Sequence, residues 1–255
     1  MVDVLDGAMA ERLALRAVTR IFPSGDGIRG VDLDVLPGQV HALVGLNGAG
    51  KTTLLRLALG MLRPQSGEVR IEDTPLARAR PAQLAGIGHL TDAPLAYGEL
   101  DVRTNLTLAA RLHGVEPART AGLVDAALAE LGLEALAARR ARTLSLGNRQ
   151  RLGLAAVLLH GPRLIVLDEP TNALDPRGII LLRETLLRRA AEGAGVLVSS
   201  HHLDEVARIA DRISLLNAGR LIGTLPPGQA DLERAFFDAV YADDERRLRA
   251  GEPEP

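Results

Sequence analysis

The chain contains no cysteine, so disulfide bonds and thiolate chemistry are excluded, which fits the cytoplasm. No apolar run comes near the roughly 20 residues that a membrane-spanning helix needs, and the longest candidate covers only residues 152–159. Residues 1–10 carry two aspartates and lack the basic, apolar-cored pattern of a signal peptide. We therefore expect a cytoplasmic protein with no direct membrane insertion, whose role at a membrane must come through a partner.

A surplus of positive charge is also missing from the composition. The formal net charge is -2, and nucleic acids are bound mainly through excess lysine and arginine, so we expect no nucleic-acid partner. The fractions of apolar residues, 47%, and of charged residues, 24%, are ordinary for a globular protein. The length of 255 residues predicts one compact unit with subdomains.

Hydrophobic periodicity predicts an α/β core that is interrupted by a helical segment. Alternating or fully apolar runs indicate strands at residues 12–20, 31–36, 39–44, 67–72, 164–167, 195–198, 211–216 and 220–225. Helical spacing predicts helices over residues 52–62, 179–191 and 232–241, and Ala and Leu recur at this spacing through residues 90–162. We predict a core of residues 1–89 and 163–225, a helical subdomain of residues 90–162, and a C-terminal helical tail, residues 226–255, with a frayed and partly disordered end.

A glycine-rich stretch between a predicted strand and a predicted helix matches the phosphate-binding pattern G-x-x-x-x-G-K-S/T. Its glycines allow successive N–H groups to cradle phosphates at a helix N-terminus. Lys51 is the only lysine of the chain, and its compact ammonium would reach the β- and γ-phosphates, while the Thr52 hydroxyl would bind Mg²⁺. The alternative is a glycine-rich turn that matches by chance. The candidate ATP-binding residues of this P-loop are Gly45, Leu46, Asn47, Gly48, Ala49, Gly50, Lys51, Thr52 and Thr53.

Two carboxylates follow the apolar strand predicted at residues 164–167. Ligands of open α/β sheets lie at the C-terminal ends of the strands, so Asp168 would hold Mg²⁺ directly or through water. Glu169 would accept a proton from the attacking water or orient it. The alternative is that both are loop residues that cap the next helix.

The order of the remaining motifs resembles that of the ABC transporter ATP-binding subunits. Leu-Ser-Leu-Gly at residues 144–147 is followed by Asp-Glu-Pro-Thr-Asn at residues 168–172, by Ala-Leu-Asp at residues 173–175, and by Ser-His at residues 200–201. The resemblance covers roughly residues 13–225. It implies a P-loop core with a mainly parallel sheet, an N-terminal antiparallel β subdomain and an inserted α-helical subdomain, and it implies ATP hydrolysis with Mg²⁺.

The resemblance also assigns roles to single positions. Ser145 and Gly147 correspond to signature residues that contact the γ-phosphate of ATP held by a second subunit, although Ser145 could equally be a plain helix N-cap. Asp175 corresponds to the aspartate that links the two sites. His201 corresponds to a histidine that hydrogen-bonds the γ-phosphate, against the alternative of a surface histidine. Phe22 occupies the place of an aromatic that stacks on adenine, against the alternative of a core residue.

The sequence departs from the family pattern at three positions. The usual signature reads Leu-Ser-Gly-Gly-Gln, and here Leu146 and Asn148 replace its first glycine and its glutamine. The Ser-Leu-Gly variant is similar to the branch that exports peptide antibiotics and related drugs. Asp92 stands where the family has a glutamine; its carboxylate could contact Mg²⁺ and the nucleotide, or it could be an ordinary loop acid.

These features predict a transport ATPase, with Lys51, Glu169 and His201 as its catalytic residues. We expect two ATP-binding subunits, identical or different, to enclose Mg-ATP and to drive export through a separate transmembrane permease at the inner face of the cell membrane. A soluble ABC ATPase of DNA repair or translation is the alternative, but such proteins usually carry a long coiled-coil insertion or two ATPase domains. A P-loop kinase would leave Ser145 and His201 without a role.

Overall fold

Two β-sheets form the framework of the computed structural model, which describes residues 10–91, 93–94, 96–229 and 231–250. The first sheet is antiparallel and has the order β2-β1-β4-β5. In β2 the buried Val31, Leu33 and Val35 alternate with more exposed residues, the period of a strand that is covered on one face. Its strands are β1 (Leu13–Ile21), β2 (Gly27–Val35), β4 (Ser66–Ile71) and β5 (Thr74–Pro75).

The second sheet has the order β10-β9-β3-β8-β7-β6 in the described residues, and all its pairs are parallel except β10–β9. Its strands are β3 (Val40–Val44), β6 (Ile87–Leu90), β7 (Leu164–Asp168), β8 (Gly195–Ser200), β9 (Arg212–Asn217) and β10 (Arg220–Leu225). Every residue of β3 and β8 is buried, because parallel strands are covered on both faces. The C-terminal ends of β3, β7 and β8 therefore meet at one edge of the sheet.

Helices cover both faces of this parallel sheet. They are α1 (Lys51–Ala58), α2 (Pro81–Leu84), α3 (Val102–Leu112), α4 (Pro117–Glu130), α5 (Leu146–Leu158), α6 (Pro176–Ala191), α7 (Leu203–Val206) and α8 (Leu232–Arg249). Helices α3, α4 and α5 form the helical insertion between β6 and β7. None of the helices within the described residues is long and apolar enough to cross a membrane.

Two hydrophobic clusters hold these layers together. In β7, Leu164 and Val166 belong to the cluster that includes α1 and the antiparallel sheet. Ile165 and Leu167 point the other way, into the cluster that includes the helical insertion, α6 and α8. The arrangement agrees with the α/β core, the antiparallel β subdomain and the helical insertion that the sequence predicts.

Several elements differ from the sequence-based prediction, and the clearest cases are α1, β6 and α8. Helix α1 ends at Ala58 rather than at residue 62, because Gly60 is left-handed and the amide of Met61 donates back to the Arg56 carbonyl at 2.9 Å. Strand β6 was not predicted. Helix α8 continues to Arg249, so the prediction of a frayed end after residue 241 is wrong for residues 242–249. Ion pairs between successive turns, such as Arg249–Glu245, favour the longer helix.

Candidate nucleotide-binding site

The P-loop joins the C-terminal end of the central strand β3 to the start of α1. Gly50 is the N-cap of α1 and has φ +105°, a left-handed conformation that favours glycine. A Cβ on Gly45 would lie 2.4 Å from the carbonyl oxygen of Leu216. No side chain of the described residues caps α1, so its first N–H groups face the loop, as phosphate binding requires.

Lys51 extends its side chain back into this loop. Its ammonium donates to the carbonyl oxygens of Gly45 at 2.7 Å and of Leu46 at 3.3 Å, and it forms an ion pair with Glu169 at 3.1 Å. The residue is buried, at 7% exposure. The single ammonium of the chain thus lies between the phosphate loop and the candidate catalytic carboxylate.

Asp168 ends β7 and is fixed by two hydroxyl groups. Thr52 Oγ1 donates to its Oδ2, and Ser199 Oγ donates to its Oδ1. Ser199 also accepts a hydrogen bond from the amide of Glu169 at 2.9 Å. A hydroxyl beside a carboxylate provides the hard oxygen ligands that Mg²⁺ prefers, so these residues fit the Mg²⁺ that the resemblance implies.

Glu169 links the end of β7 to His201, which follows β8. Its Oε2 lies 2.8 Å from His201 Nδ1 and accepts the His201 amide at 3.3 Å. The backbone of Glu169 is left-handed, with φ +46°, which is uncommon outside glycine and is found where a site fixes a residue. The histidine in contact with Glu169 is therefore the predicted one, and the ring of the neighbouring His202 lies tilted against it at 3.9 Å.

The signature residues lie at the start of α5, on the surface. Ser145 is the N-cap of this helix and accepts a hydrogen bond from the amide of Asn148 at 3.2 Å. A Cβ on Gly147 would lie 2.6 Å from the carbonyl oxygen of Ala173, so only glycine allows this approach. Among the described residues, neither Ser145 nor Gly147 makes a hydrogen bond to the P-loop of its own chain.

Asp175 also has a capping role. It precedes α6 and accepts a hydrogen bond from the amide of Gly178 at 2.8 Å. The structure therefore forms one cluster at the sheet edge, with Lys51, Thr52, Asp168, Glu169 and His201, and a second group near α5 and α6, with the exposed Ser145 and Asp175 and the partly buried Gly147.

Phe22 lies in the turn between β1 and β2 and is partly exposed, so it is not a core residue. The Arg20 guanidinium lies 5.5 Å from the centroid of its ring. Its turn is held by a hydrogen bond from the Phe22 amide to Asp26 O at 2.7 Å. The remaining predicted residue, Asp92, falls outside the described residues.

The turn between β9 and β10 supports the P-loop, which the sequence did not reveal. The amide of Gly219 donates to Ala49 O at 2.9 Å, and its carbonyl accepts from Arg29 N at 2.8 Å. A Cβ on Gly219, at φ +76°, would lie 1.7 Å from Gly27 O. The Asn-Ala-Gly sequence indicated a turn, but no local pattern places that turn against a loop 170 residues away in the sequence.

Known proteins are similar to most of this chain. The ABC transporter family model matches residues 28–172. The bacitracin transport ATP-binding protein BcrA of Bacillus licheniformis is 33% identical over 82% of this chain and 68% of its own length. The lantibiotic transport ATP-binding protein SrtF of Streptococcus pyogenes is 33% identical over 86% of this chain and 93% of its own.

Other relatives are longer. The chain spans 44% of the ribose import ATP-binding protein RbsA 1 of Rubrobacter xylanophilus, to which it is 38% identical over 84% of its own length. A solved structure, an ATP-binding subunit of an ABC transporter, superposes with a TM-score of 0.79 at 28% identity, covering 91% of this chain and 98% of the other. The predicted fold class and family resemblance are confirmed, and the chain belongs to the ABC transporter family as an ATP-binding ATPase subunit.

Proposed function

We propose that two such chains enclose two ATP molecules, and that the pair drives export through a separate membrane subunit. The observation that carries this proposal is the cluster at the sheet edge, where Lys51, Glu169 and His201 are in direct contact. The Ser145 group, in contrast, is exposed and makes no hydrogen bond to this cluster in the described residues. A γ-phosphate bound between the two groups needs the second group from another chain.

Each residue of the cluster has a role in this proposal. The P-loop amides and Lys51 would bind the phosphates, and Thr52 and Asp168 would hold Mg²⁺, which supplies charge neutralisation when bound. Glu169 would accept the proton of the attacking water or orient it. His201 holds the Glu169 carboxylate through Nδ1, which leaves its Nε2 to contact the γ-phosphate.

Residues outside the cluster complete the proposed site. Phe22 would stack on adenine. Its turn leads into β2 at Gly27, and Gly27 lies against Gly219, which in turn donates a hydrogen bond to Ala49 of the P-loop. Asp175 would join the two sites across the pair. For Asp92, contact with Mg²⁺ remains a prediction that rests on the sequence.

The helical insertion offers a groove for the membrane subunit. This groove is mainly apolar, has a volume of about 300 Å³, and lies beside Thr91, next to the position of Asp92. We assign it to a cytoplasmic segment of the permease, which would place the chain at the inner face of the membrane. Its lining includes His89, Leu90, Tyr97, Leu108, Leu112 and His113. The similarity to BcrA and SrtF, with the Ser-Leu-Gly signature, favours export of an antibiotic-like compound.

The substitution Glu169→Gln tests the proposed pair. It keeps the shape of the side chain and removes the base, so ATP hydrolysis should fall at least about 100-fold while ATP still binds. Size-exclusion chromatography with light scattering should then detect ATP-dependent dimers. Glu184→Gln, an exposed change on α6, is the matched control. Hydrolysis at the wild-type rate would remove Glu169 from catalysis, and a Glu169→Gln protein that stays monomeric with ATP would refute the proposed pair.

A further inference from the structure

Helix α8 carries an exposed aromatic ridge in a chain that is poor in aromatics. The sequence contains three Phe and two Tyr, and three of these five residues lie on α8. Phe236 points into the core, but Phe237 is 37% exposed and Tyr241, one turn later, is 66% exposed. Leu248, at 58% exposure, continues the same helix face at the next heptad position. We call Phe237, Tyr241 and Leu248 the α8 ridge.

An apolar groove lies between α6 and α7. It has a volume of about 300 Å³, which is enough for one or two aromatic rings, and its floor is formed by Leu182, Leu186, Val198 and Val206. Ile180 lines its mouth and is 45% exposed. We call this cavity the α6–α7 groove.

The ridge and the groove both border α7. Asp204 and Glu205 line the groove, and they also line a second cavity that Phe237 shares with Leu46 of the P-loop and His201. At its other end the groove includes Pro176, the residue after Asp175. Both features therefore border residues that the proposed pair of chains would share.

We propose that the α8 ridge of each copy packs into the α6–α7 groove of a second copy of this chain. A two-fold pair is self-complementary, so a chain that presents both a ridge and a groove beside α7 can make this contact twice. Aromatic residues that enter pockets are the usual anchors of such interfaces. The inference rests on the proposed ATP-bound pair and extends its interface beyond the nucleotides.

Charged side chains surround both features. Arg183 and Arg208 line the groove together with Asp204 and Glu205, and within the described part of the chain neither arginine forms an ion pair. The ridge is flanked by Asp238 and Glu245, whose side chains are exposed and paired only with neighbouring arginines of α8. Packing of the ridge into the groove brings carboxylates toward these arginines, which favours the paired orientation.

Cross-linking tests the contact directly, because the natural chain has no cysteine. Two versions of the Glu169→Gln chain, one with Phe237→Cys and one with Ile180→Cys, carry different tags and are mixed with ATP and a mild oxidant. We expect disulfide-linked heterodimers that contain both tags and that form at least about ten times faster with ATP than without it. Leu84→Cys, at an exposed leucine of α2, replaces Ile180→Cys in the control and should give no such product.

The possible outcomes separate the two proposals. If ATP produces dimers by light scattering but no mixed disulfide forms, or only chains with the same tag are linked, the ridge does not meet the groove and the inference is overturned while the proposed pair survives. If no dimer forms with ATP, both are overturned. As a second measurement, Phe237→Ser with Tyr241→Ser should raise the dimer dissociation constant at least about 10-fold and leave ATP binding by the single chain unchanged.

Discussion

The cluster at the sheet edge (the P-loop cluster) and the group around Ser145 (the signature group) differ in how many contacts they make within their own chain. In the P-loop cluster, side chains from three strand ends bind one another: Lys51 pairs with Glu169, and Thr52 donates to Asp168. At the signature, Ser145 makes only the cap of its own helix, and Leu146 beside it is 61% exposed. This difference is the basis of our proposal that one chain binds ATP and that hydrolysis requires two.

The largest effect should come from Lys51→Arg, which alters the P-loop cluster. The ammonium donates to two carbonyl oxygens in a buried position, and a broad planar guanidinium cannot occupy the same space. We expect the affinity for ATP to fall at least about 100-fold, which is close to 3 kcal/mol. Isothermal titration calorimetry of the single chain measures this loss.

Arg111→Lys, an exposed exchange between the same residue types on α3, serves as the control and should leave binding intact. Unchanged ATP affinity in Lys51→Arg would mean that the P-loop amides suffice and that the unique lysine has another purpose.

Ser145→Ala alters the signature group and should have a smaller effect on ATP binding by the single chain. ATP binding should remain, while hydrolysis falls at least about 10-fold because a phosphate contact from the second copy is lost. Loss of the helix cap itself costs about 1 kcal/mol, and Asp101→Ala, which removes the equivalent cap of α3, controls for that.

Mixing the two impaired proteins sharpens the comparison. A pair of one Lys51→Arg chain and one Ser145→Ala chain combines both defects in one site and leaves the other site with an unaltered P-loop and an unaltered signature. ATPase assays of the mixture should show more activity than either protein has alone. A mixture as inactive as its components would show that each site is built within one chain.

The same comparison explains what the sequence could predict. The P-loop and the carboxylates of β7 were visible because strand, loop and helix follow one another within a few residues. Ser199, which holds Asp168, and Gly219, which supports Ala49, act across long separations in the sequence, and no periodicity encodes such contacts. The full length of α8 was missed for a similar reason.

Asn217 explains the extra turns of α8. Its side-chain amide donates to Asp243 at 2.9 Å and to Asp244 at 2.8 Å, at the point where the sequence suggested a frayed end. From the sequence alone, the neighbouring carboxylates Asp243 and Asp244 indicate a solvent-exposed surface. The contact with the β9–β10 turn fixes them and thereby ties α8 to the turn that supports the P-loop.

Acid should weaken the P-loop side through His41, in the strand that leads into the loop. This histidine is fully buried; its Nδ1–H donates to Asp34 O at 2.7 Å, and Nε2 accepts from the Ser214 hydroxyl at 2.8 Å. Burial lowers the pKa of His41 from 6.5 to about 4. Between these values the unfolded chain binds the proton and the folded chain does not, so the free energy of unfolding decreases as the pH falls from 6.5 to 4.

His41→Gln isolates this contribution, because the amide can keep both hydrogen bonds and does not titrate. The wild type should lose up to about 3 kcal/mol more than the variant over this pH range. Urea unfolding at pH 6.5, 5 and 4 measures the difference. Burial also lowers the pKa of His160, to about 4, so His160→Gln should remove a separate share of the same slope. Equal slopes for the wild type and His41→Gln would mean that protonation of His41 does not limit the stability of the strand beneath the P-loop.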